Sequence, residues 1–183
     1  VSQGTDFSNV ISGTGSFTQA GGGTTTMAAG NTYTGTTTIS AGTLALAASN
    51  AFADASNFVM SGGTFAAGTF SDVIGTLSLT GNAALTLGSG GALAFADSDA
   101  ISWGSNTLSI TGTFVDGFSI RFGTDATGGL TSQQLALISI NGNFGTTIDS
   151  SGFLVAAIPE PSTYAIIAGG AILGLALLRR RRV

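Results

Sequence analysis

The sequence predicts an all-β fold: a parallel β-helix or solenoid-like ectodomain followed by one C-terminal transmembrane helix. Three observations support this prediction. Short runs with an apolar residue at every second position recur between residues 12 and 158, clusters of Gly, Asn and Ser separate these runs, and a 17-residue uncharged segment lies near the C-terminus. Period-two alternation is typical of half-buried strands. An uncharged run of about 17 to 25 residues is long enough to cross a membrane.

The predicted strands carry apolar side chains on one face and small side chains on the other. The intervening residues are mostly Thr, Ser, Ala or Gly, as a half-buried sheet requires. Between the strands, runs such as the Gly-Ser-Gly-Gly of residues 88–91 supply the backbone conformations that turns need. The apolar sets are Leu44 and Leu46, Leu77 and Leu79, Leu85 and Leu87, Leu93 and Phe95, Leu108 and Ile110, and Phe118, Ile120 and Phe122.

The spacing of the leading apolar residues favours a solenoid. The intervals are 21, 20 and 23 residues along the series Leu44, Phe65, Leu85 and Leu108. Such intervals are close to one coil of a parallel β-helix. A β-sandwich is the alternative, because strands spaced by about 8 to 12 residues would give the same alternation.

A Thr-rich segment near the N-terminus has a distinctive motif. Residues 30–46 read Gly-Asn-Thr-Tyr-Thr-Gly-Thr-Thr-Thr-Ile-Ser-Ala-Gly-Thr-Leu-Ala-Leu. This segment, with its Asn-x-Tyr-x-Gly-x-Thr-x-Ile core followed by Gly-Thr-Leu, resembles the autotransporter-associated β-strand repeat over roughly residues 30–50. The resemblance implies a right-handed β-solenoid ectodomain of the passenger type.

A short helix is predicted near residue 135. Thr131 followed by Gln134 has the spacing of a capping box and precedes an apolar run from Leu135 to Ile138. A helix here would cover the last open coil and hide its unpaired strand edges, which otherwise invite association. An ordinary surface turn is the alternative.

The C-terminal tail has three parts with different physical properties. Pro159 and Pro161 flank Glu160 and force the residues before them into extended geometry. Residues 162–178 carry no charge and are predicted to form the transmembrane helix, with Tyr164 at the membrane interface. The basic cluster that follows predicts a cytoplasmic C-terminus, and its members are Arg179, Arg180, Arg181 and Arg182.

This order of Pro-Glu-Pro, apolar span and basic cluster closely resembles the PEP-CTERM sorting signal of Gram-negative bacteria. The resemblance implies recognition at Pro159, Glu160 and Pro161 by an exosortase, a membrane protease-transpeptidase. It also implies an inner-membrane precursor that is then sorted to the cell surface or the extracellular matrix, including that of biofilms. We therefore divide the chain into an extracytoplasmic domain, residues 1–157, and a sorting tail, residues 158–183.

Charge is distributed very unevenly along the chain. Residues 1–158 contain eight Asp and a single cation, Arg121, for a formal charge of −7. Because binding to phosphate backbones needs a positive patch, this balance argues against a nucleic-acid partner. The chain begins at Val1 without a charged-then-apolar leader, which suggests either a removed signal peptide or a fragment.

Few residues are candidates for catalysis or metal binding. The chain has no His and no Cys, which excludes Ser-His-Asp and Cys-His catalysis and the common zinc sites. Asp97 and Asp99 could bind calcium or act as a glycosidase-like pair, but solvated turn acids are the favoured interpretation. Trp103 and Tyr33 could form a sugar-stacking platform, although aromatic residues at strand spacing usually belong to a core. We predict no catalytic residue, metal site or cofactor.

The favoured function is that of a non-enzymatic structural or interaction protein of the cell surface and its matrix. An extracellular polysaccharide is a further candidate partner. One alternative is a polysaccharide-binding module, which should show a row of outward-facing aromatic residues. The less favoured alternative is a β-helix polysaccharide hydrolase or lyase, which should show carboxylates clustered beside an aromatic-lined groove.

Overall fold

The computed structural model describes residues 5–7, 9–28, 30–126 and 128–156. These residues form short strands and one short helix. In chain order, the elements are β1 (Thr5–Phe7), β2 (Ser12–Gly13), β3 (Phe17–Gln19), β4 (Thr24–Met27), β5 (Thr32–Tyr33), β6 (Thr37–Ile39), β7 (Thr43–Leu46), β8 (Phe58–Met60), β9 (Thr64–Gly68), β10 (Asp72–Ile74), β11 (Leu77–Leu79), β12 (Ala83–Leu87), β13 (Leu93–Phe95), β14 (Leu108–Gly112), β15 (Ile120–Phe122), α1 (Ser132–Ala136), β16 (Ile138–Ile140), β17 (Asn143–Phe144), β18 (Thr147–Ile148) and β19 (Leu154–Val155).

The strands stack into a β-solenoid of about five turns with three faces. Sheet 1 has the order β1-β4-β7-β9-β12-β14-β16-β17, sheet 2 the order β3-β6-β8-β11, and sheet 3 the order β10-β13-β15. The pair β2-β5 continues sheet 3 through Asn50, whose carbonyl accepts from Gly30 N and whose N–H donates to Ser71 O. Every pairing between successive coils is parallel. The solenoid prediction is therefore confirmed, and the β-sandwich alternative is wrong.

The strand register of sheet 1 shows that one member of the predicted series of leading apolar residues was wrong. Leu44 pairs with Phe65 and Phe65 with Leu85, as the spacing predicted, but Leu85 then pairs with Ile110 rather than with Leu108. The predicted period fails because the coils lengthen toward the C-terminus. Aligned residues are 20 apart between Phe65 and Leu85 but 25 apart between Leu85 and Ile110, since an additional loop precedes β14.

The core is the interior of the solenoid, filled by inward-facing residues of all three sheets. Aromatic rings meet there within and between coils. The ring centres of Phe58 and Phe65, in one coil, are 5.0 Å apart with the planes tilted by 50°, and those of Phe95 and Phe122, in successive coils, are 5.0 Å apart and stacked at 15°. Phe118 does not continue the row of Ile120 and Phe122, contrary to the predicted alternation. Its N–H bonds to Val115 O in a turn before β15, and its side chain is 46% exposed.

Sheet 2 ends at β11 because side chains of the next coil satisfy its outer edge. Ser98 Oγ accepts from Leu77 N at 3.0 Å, and Trp103 Nε1 donates to Leu77 O at 3.1 Å. Asn106 Nδ2 donates to Leu79 O at 3.2 Å. These bonds replace a fifth strand, since buried backbone groups must be paired.

The predicted helix and its capping box are confirmed. Thr131 Oγ1 accepts from Gln134 N at 3.2 Å, while Gln134 Oε1 accepts from Thr131 N at 2.6 Å. The helix belongs to the last coil itself, where Gln134 Nε2 donates to Ser98 O and Ile101 O. The outer edge of sheet 1 is instead covered by β17, which pairs antiparallel with β16.

Within the part of the chain that the structure describes, no helix is long and apolar enough to cross a membrane. The predicted transmembrane segment, residues 162–178, lies outside the described residues.

Candidate functional site

The predicted sorting residues all lie outside the described residues. They are Pro159, Glu160, Pro161, Tyr164, Arg179, Arg180, Arg181 and Arg182. The last described residues form the antiparallel pair β18-β19, and Ala156 N then donates to Asp116 Oδ1 at 2.7 Å. The tail therefore follows directly from the C-terminal end of the solenoid.

Asp97 and Asp99 lie in an exposed turn, as the favoured interpretation predicted. Asp97 Oδ1 accepts from Asp99 N at 3.1 Å and from Gly129 N at 3.0 Å, and these two bonds hold the pKa of Asp97 below its usual value. Asp97 therefore ties two turns of successive coils together. Within the described ranges, no group of three or more acidic side chains could hold a metal ion.

Trp103 and Tyr33 do not form an exposed platform. Trp103 is 2% exposed and lies at a tilt of 63° to Phe122 in the core. Tyr33 is 1% exposed, and its hydroxyl bonds to Thr37 Oγ1 at 2.6 Å. Burial raises the pKa of Tyr33 to about 12. Both aromatic residues therefore stabilise the core.

Asp72 is a buried carboxylate on sheet 3 that the sequence analysis missed. It is 2% exposed, and its Oδ2 accepts from Ala51 N at 2.7 Å and from Phe52 N at 3.3 Å. Its Oδ1 is buried without a hydrogen-bond partner. Burial raises the pKa of Asp72 to about 6, although the backbone hydrogen bonds oppose this rise. Asp72 thus holds the segment around Ala51, which forms no strand between β5 and β10.

A groove runs along the outer face of sheet 3, and we call it the Arg121 groove. Its floor is the row of Val73, Ala94 and Arg121, which are direct partners in the register of β10, β13 and β15. Two cavities meet at this row, one of about 280 Å³ toward the beginnings of the strands and one of about 350 Å³ toward their ends. The first cavity is lined on its far side by Phe118 and Phe153.

Arg121 is held in this groove without a carboxylate partner. Its guanidinium carbon lies 5.9 Å from the centre of the Phe153 ring, within the range of a cation–π contact. Its Nε is buried and has no hydrogen-bond partner, and no described carboxylate forms an ion pair with it. Arg121 is also the one cation in residues 1–158. Its charge is therefore available to a ligand.

The loop that carries Phe153 packs tightly against Arg121. Phe122 N donates to Gly152 O at 2.9 Å, and Arg121 forms an antiparallel bridge with Phe153. Gly152 has a φ of +84°, and a Cβ there would lie 2.6 Å from Phe122 O and 3.3 Å from Arg121 Cγ. Glycine is therefore required for this approach. Asp149 Oδ1 closes the loop by accepting from Phe153 N at 3.0 Å.

From the sequence, Arg121 is evident only as a part of the charge balance. One signal could have identified it, because a lone cation within an uncharged strand of an acidic domain is unusual. The groove combines a cation, aromatic rings, small polar groups and the exposed carboxylates of Asp54 and Asp97.

Two family models match parts of the chain. Residues 17–46 match the Passenger-associated-transport-repeat, and residues 157–182 match the PEP-CTERM protein-sorting motif. Both predicted resemblances are thereby confirmed. The first match begins before the predicted segment and covers β3 to β7, nearly two coils. The second implies export and a surface or extracellular location. No curated protein and no solved structure matches the chain.

Proposed function

We propose that the chain is a non-enzymatic structural or interaction protein of the bacterial surface or extracellular matrix, sorted through its tail by an exosortase. The observation that carries the proposal is the PEP-CTERM match at residues 157–182, directly after the last strands of the solenoid. A stacked β-solenoid suits this role because it presents extended faces on a regular scaffold.

The proposed route has two stages. The precursor enters the inner membrane through residues 162–178, and the cluster from Arg179 to Arg182 stays in the cytoplasm because basic residues favour that side. The exosortase then reads Pro159, Glu160 and Pro161, whose proline-restricted backbone offers an extended segment to a protease cleft. Glu160 is the one acidic residue in the last 25 residues, so it supplies the charge for recognition.

The mass of the mature C-terminus tests this route. The full chain is produced in a host with an exosortase and in the same host without one. We expect the surface protein to end near residues 159–161 and to lack residues 165–183 only when the enzyme is present. Glu160→Gln should block this cut and leave membrane insertion intact, since the apolar span is unchanged. Intact Arg182 on most of the surface protein would contradict the proposal and indicate a simple membrane anchor.

The non-enzymatic part of the proposal has its own test. The full chain is incubated with polysaccharides, and new reducing ends and unsaturated sugars are measured. We expect neither product to form. Sustained release of either one, lost on replacement of Asp97 or Asp99, would favour the hydrolase or lyase alternative.

A further inference from the structure

We propose that the Arg121 groove binds an acidic polysaccharide, with a uronate carboxylate on Arg121 and an adjacent neutral sugar in the second cavity. This inference rests on the proposed surface role and adds the ligand class that such a protein would hold. It starts from Arg121, whose Nε is buried without a hydrogen-bond partner in a domain that carries eight Asp residues. Because the net negative charge of residues 1–158 disfavours a ligand that is charged at every unit, as a nucleic acid is, we expect carboxylates on alternate sugars only.

The first cavity suits a sugar ring that carries a carboxylate. Phe118 is 46% exposed and, together with Phe153, gives the cavity apolar ring surface beside the cation. Pyranose rings have apolar faces that pack on aromatic side chains, while guanidinium groups bind carboxylates through paired hydrogen bonds. Asn50 and Ser71 line the same cavity and can bond to hydroxyl groups. Asp72 also borders this cavity, but its side chain is 2% exposed and faces the interior, where it accepts from Ala51 N.

The second cavity suits a neutral sugar. Asp54 and Asp97 line it and are exposed, and Thr124 lies beside them. Carboxylates accept hydrogen bonds from sugar hydroxyls but repel a second carboxylate. Because Arg121 borders both cavities, a polymer that crosses it would place its acidic unit in the first cavity and a neutral unit in the second.

A peptide fits this groove less well than a saccharide. An extended peptide normally binds by pairing with a free strand edge. Here the backbone is already paired from coil to coil: Asp72 N donates to Ala92 O at 3.0 Å, and Leu93 N donates to Ser119 O at 2.9 Å. The outer edge of β15 is occupied in turn by the Phe153 loop. The groove therefore offers side-chain chemistry rather than a backbone edge.

Equilibrium binding to the full chain in detergent micelles tests the inference. The probe is a hyaluronan hexasaccharide, in which glucuronate alternates with a neutral sugar, and the matched control is the methyl ester of that hexasaccharide. We expect the ester to bind about 10-fold more weakly, because it lacks the charge that Arg121 would pair. Equal affinity for the acid and the ester would overturn the inference.

Variants locate the site. Arg121→Gln should weaken binding of the acid by about 10-fold and erase the difference between acid and ester, whereas Arg121→Lys should retain part of that difference. Phe118→Ala should weaken binding several-fold, and Phe144→Ala should not, since Phe144 is 60% exposed but lies on β17 away from the groove. Phe118→Ala and Arg121→Lys keep the test decisive if Arg121→Gln unfolds. If Phe118→Ala and Arg121→Lys both bound the hexasaccharide as tightly as the unmodified chain, the assignment to this groove would be overturned.

Two competitor peptides test whether the Arg121 groove binds a ligand other than a saccharide. Displacement of the hexasaccharide by a tetraglutamate peptide, or by a peptide of residues 157–164, would overturn the saccharide assignment in favour of an acidic protein or the chain's own tail. Processing by the exosortase is measured separately from binding. Normal processing without saccharide binding would refute this inference alone, and binding without processing would refute the sorting proposal alone.

Discussion

Replacing Asp72 by Asn should make the solenoid less sensitive to pH. Burial raises the pKa of Asp72 to about 6, against 3.8 for an ordinary Asp side chain. The folded protein therefore binds more protons than the unfolded chain between about pH 4 and pH 6, and its stability falls as the pH rises through this window. Two pKa units correspond to about 3 kcal/mol, a penalty that is complete above pH 6.

The Asn side chain separates this charge effect from hydrogen bonding. Its oxygen can still accept from Ala51 N and Phe52 N, while its NH₂ replaces the unpartnered Oδ1. An unpaired buried donor costs about 1 to 3 kcal/mol, but this cost does not depend on pH. The free energy of unfolding of Asp72→Asn, minus that of the unmodified protein, should therefore rise by about 2 to 3 kcal/mol as the pH goes from 4 to 7.5.

Urea unfolding of residues 1–157, followed by circular dichroism at constant ionic strength, measures the difference. Asp6→Asn is the matched control, since Asp6 is exposed on β1 and its replacement removes the same charge without relieving burial. We expect this control to differ from the unmodified protein by a small and constant amount. A constant difference for Asp72→Asn as well would refute the argument, because Asp72 would then not ionise at a cost.

Two further predictions concern packing and backbone geometry. Leu85→Ala should lower the free energy of unfolding in urea by about 2 to 5 kcal/mol, because Leu85 is fully buried between coils. Thr86→Ala, on the outer face of the same strand, should change it by no more than about 0.5 kcal/mol. Equal effects would mean that the alternation does not mark the core. Gly152→Ala should lower the free energy of unfolding by more than Gly90→Ala. Both glycines have φ near +80°, but only at Gly152 does an added Cβ approach a backbone atom, Phe122 O at 2.6 Å. Equal losses would show that the strained φ alone sets the cost.

The sequence predicted the fold well because side-chain direction in a strand depends only on local alternation. Leu44, Phe65 and Leu85 are buried and aligned as their spacing indicated. Coil length is not a local property, so the shift from Leu108 to Ile110 was missed. It depends on how many residues the intervening loop needs to cover the edge of β11, where Trp103 takes the place of a strand.

The candidate site was harder to predict because its parts come from distant segments. Arg121 and Phe153 are 32 residues apart and meet only because the turn between β18 and β19 brings Phe153 back against β15, where it forms an antiparallel bridge. Asp72 could have been recognised, since it shares the alternation of Ile74 and therefore had to face inward. A charged residue at an inward position predicts either a buried hydrogen-bonded carboxylate or an error in the assigned strand.

Both residues that the sequence analysis overlooked lie on sheet 3, and the architecture gives a reason. Sheets 1 and 2 are continuous ladders in which backbone groups pair from coil to coil. Sheet 3 is interrupted near Ala51, where Asp72 supplies the missing acceptor, and it ends at β15, where the Phe153 loop covers the outer edge. A side chain replaces backbone pairing near Ala51, and a backbone loop from a distant segment covers the edge of β15, so this face departs from the small, uncharged pattern of the repeat. Ligand recognition on a regular solenoid requires such departures, because identical uncharged rungs offer no charge to distinguish one ligand from another.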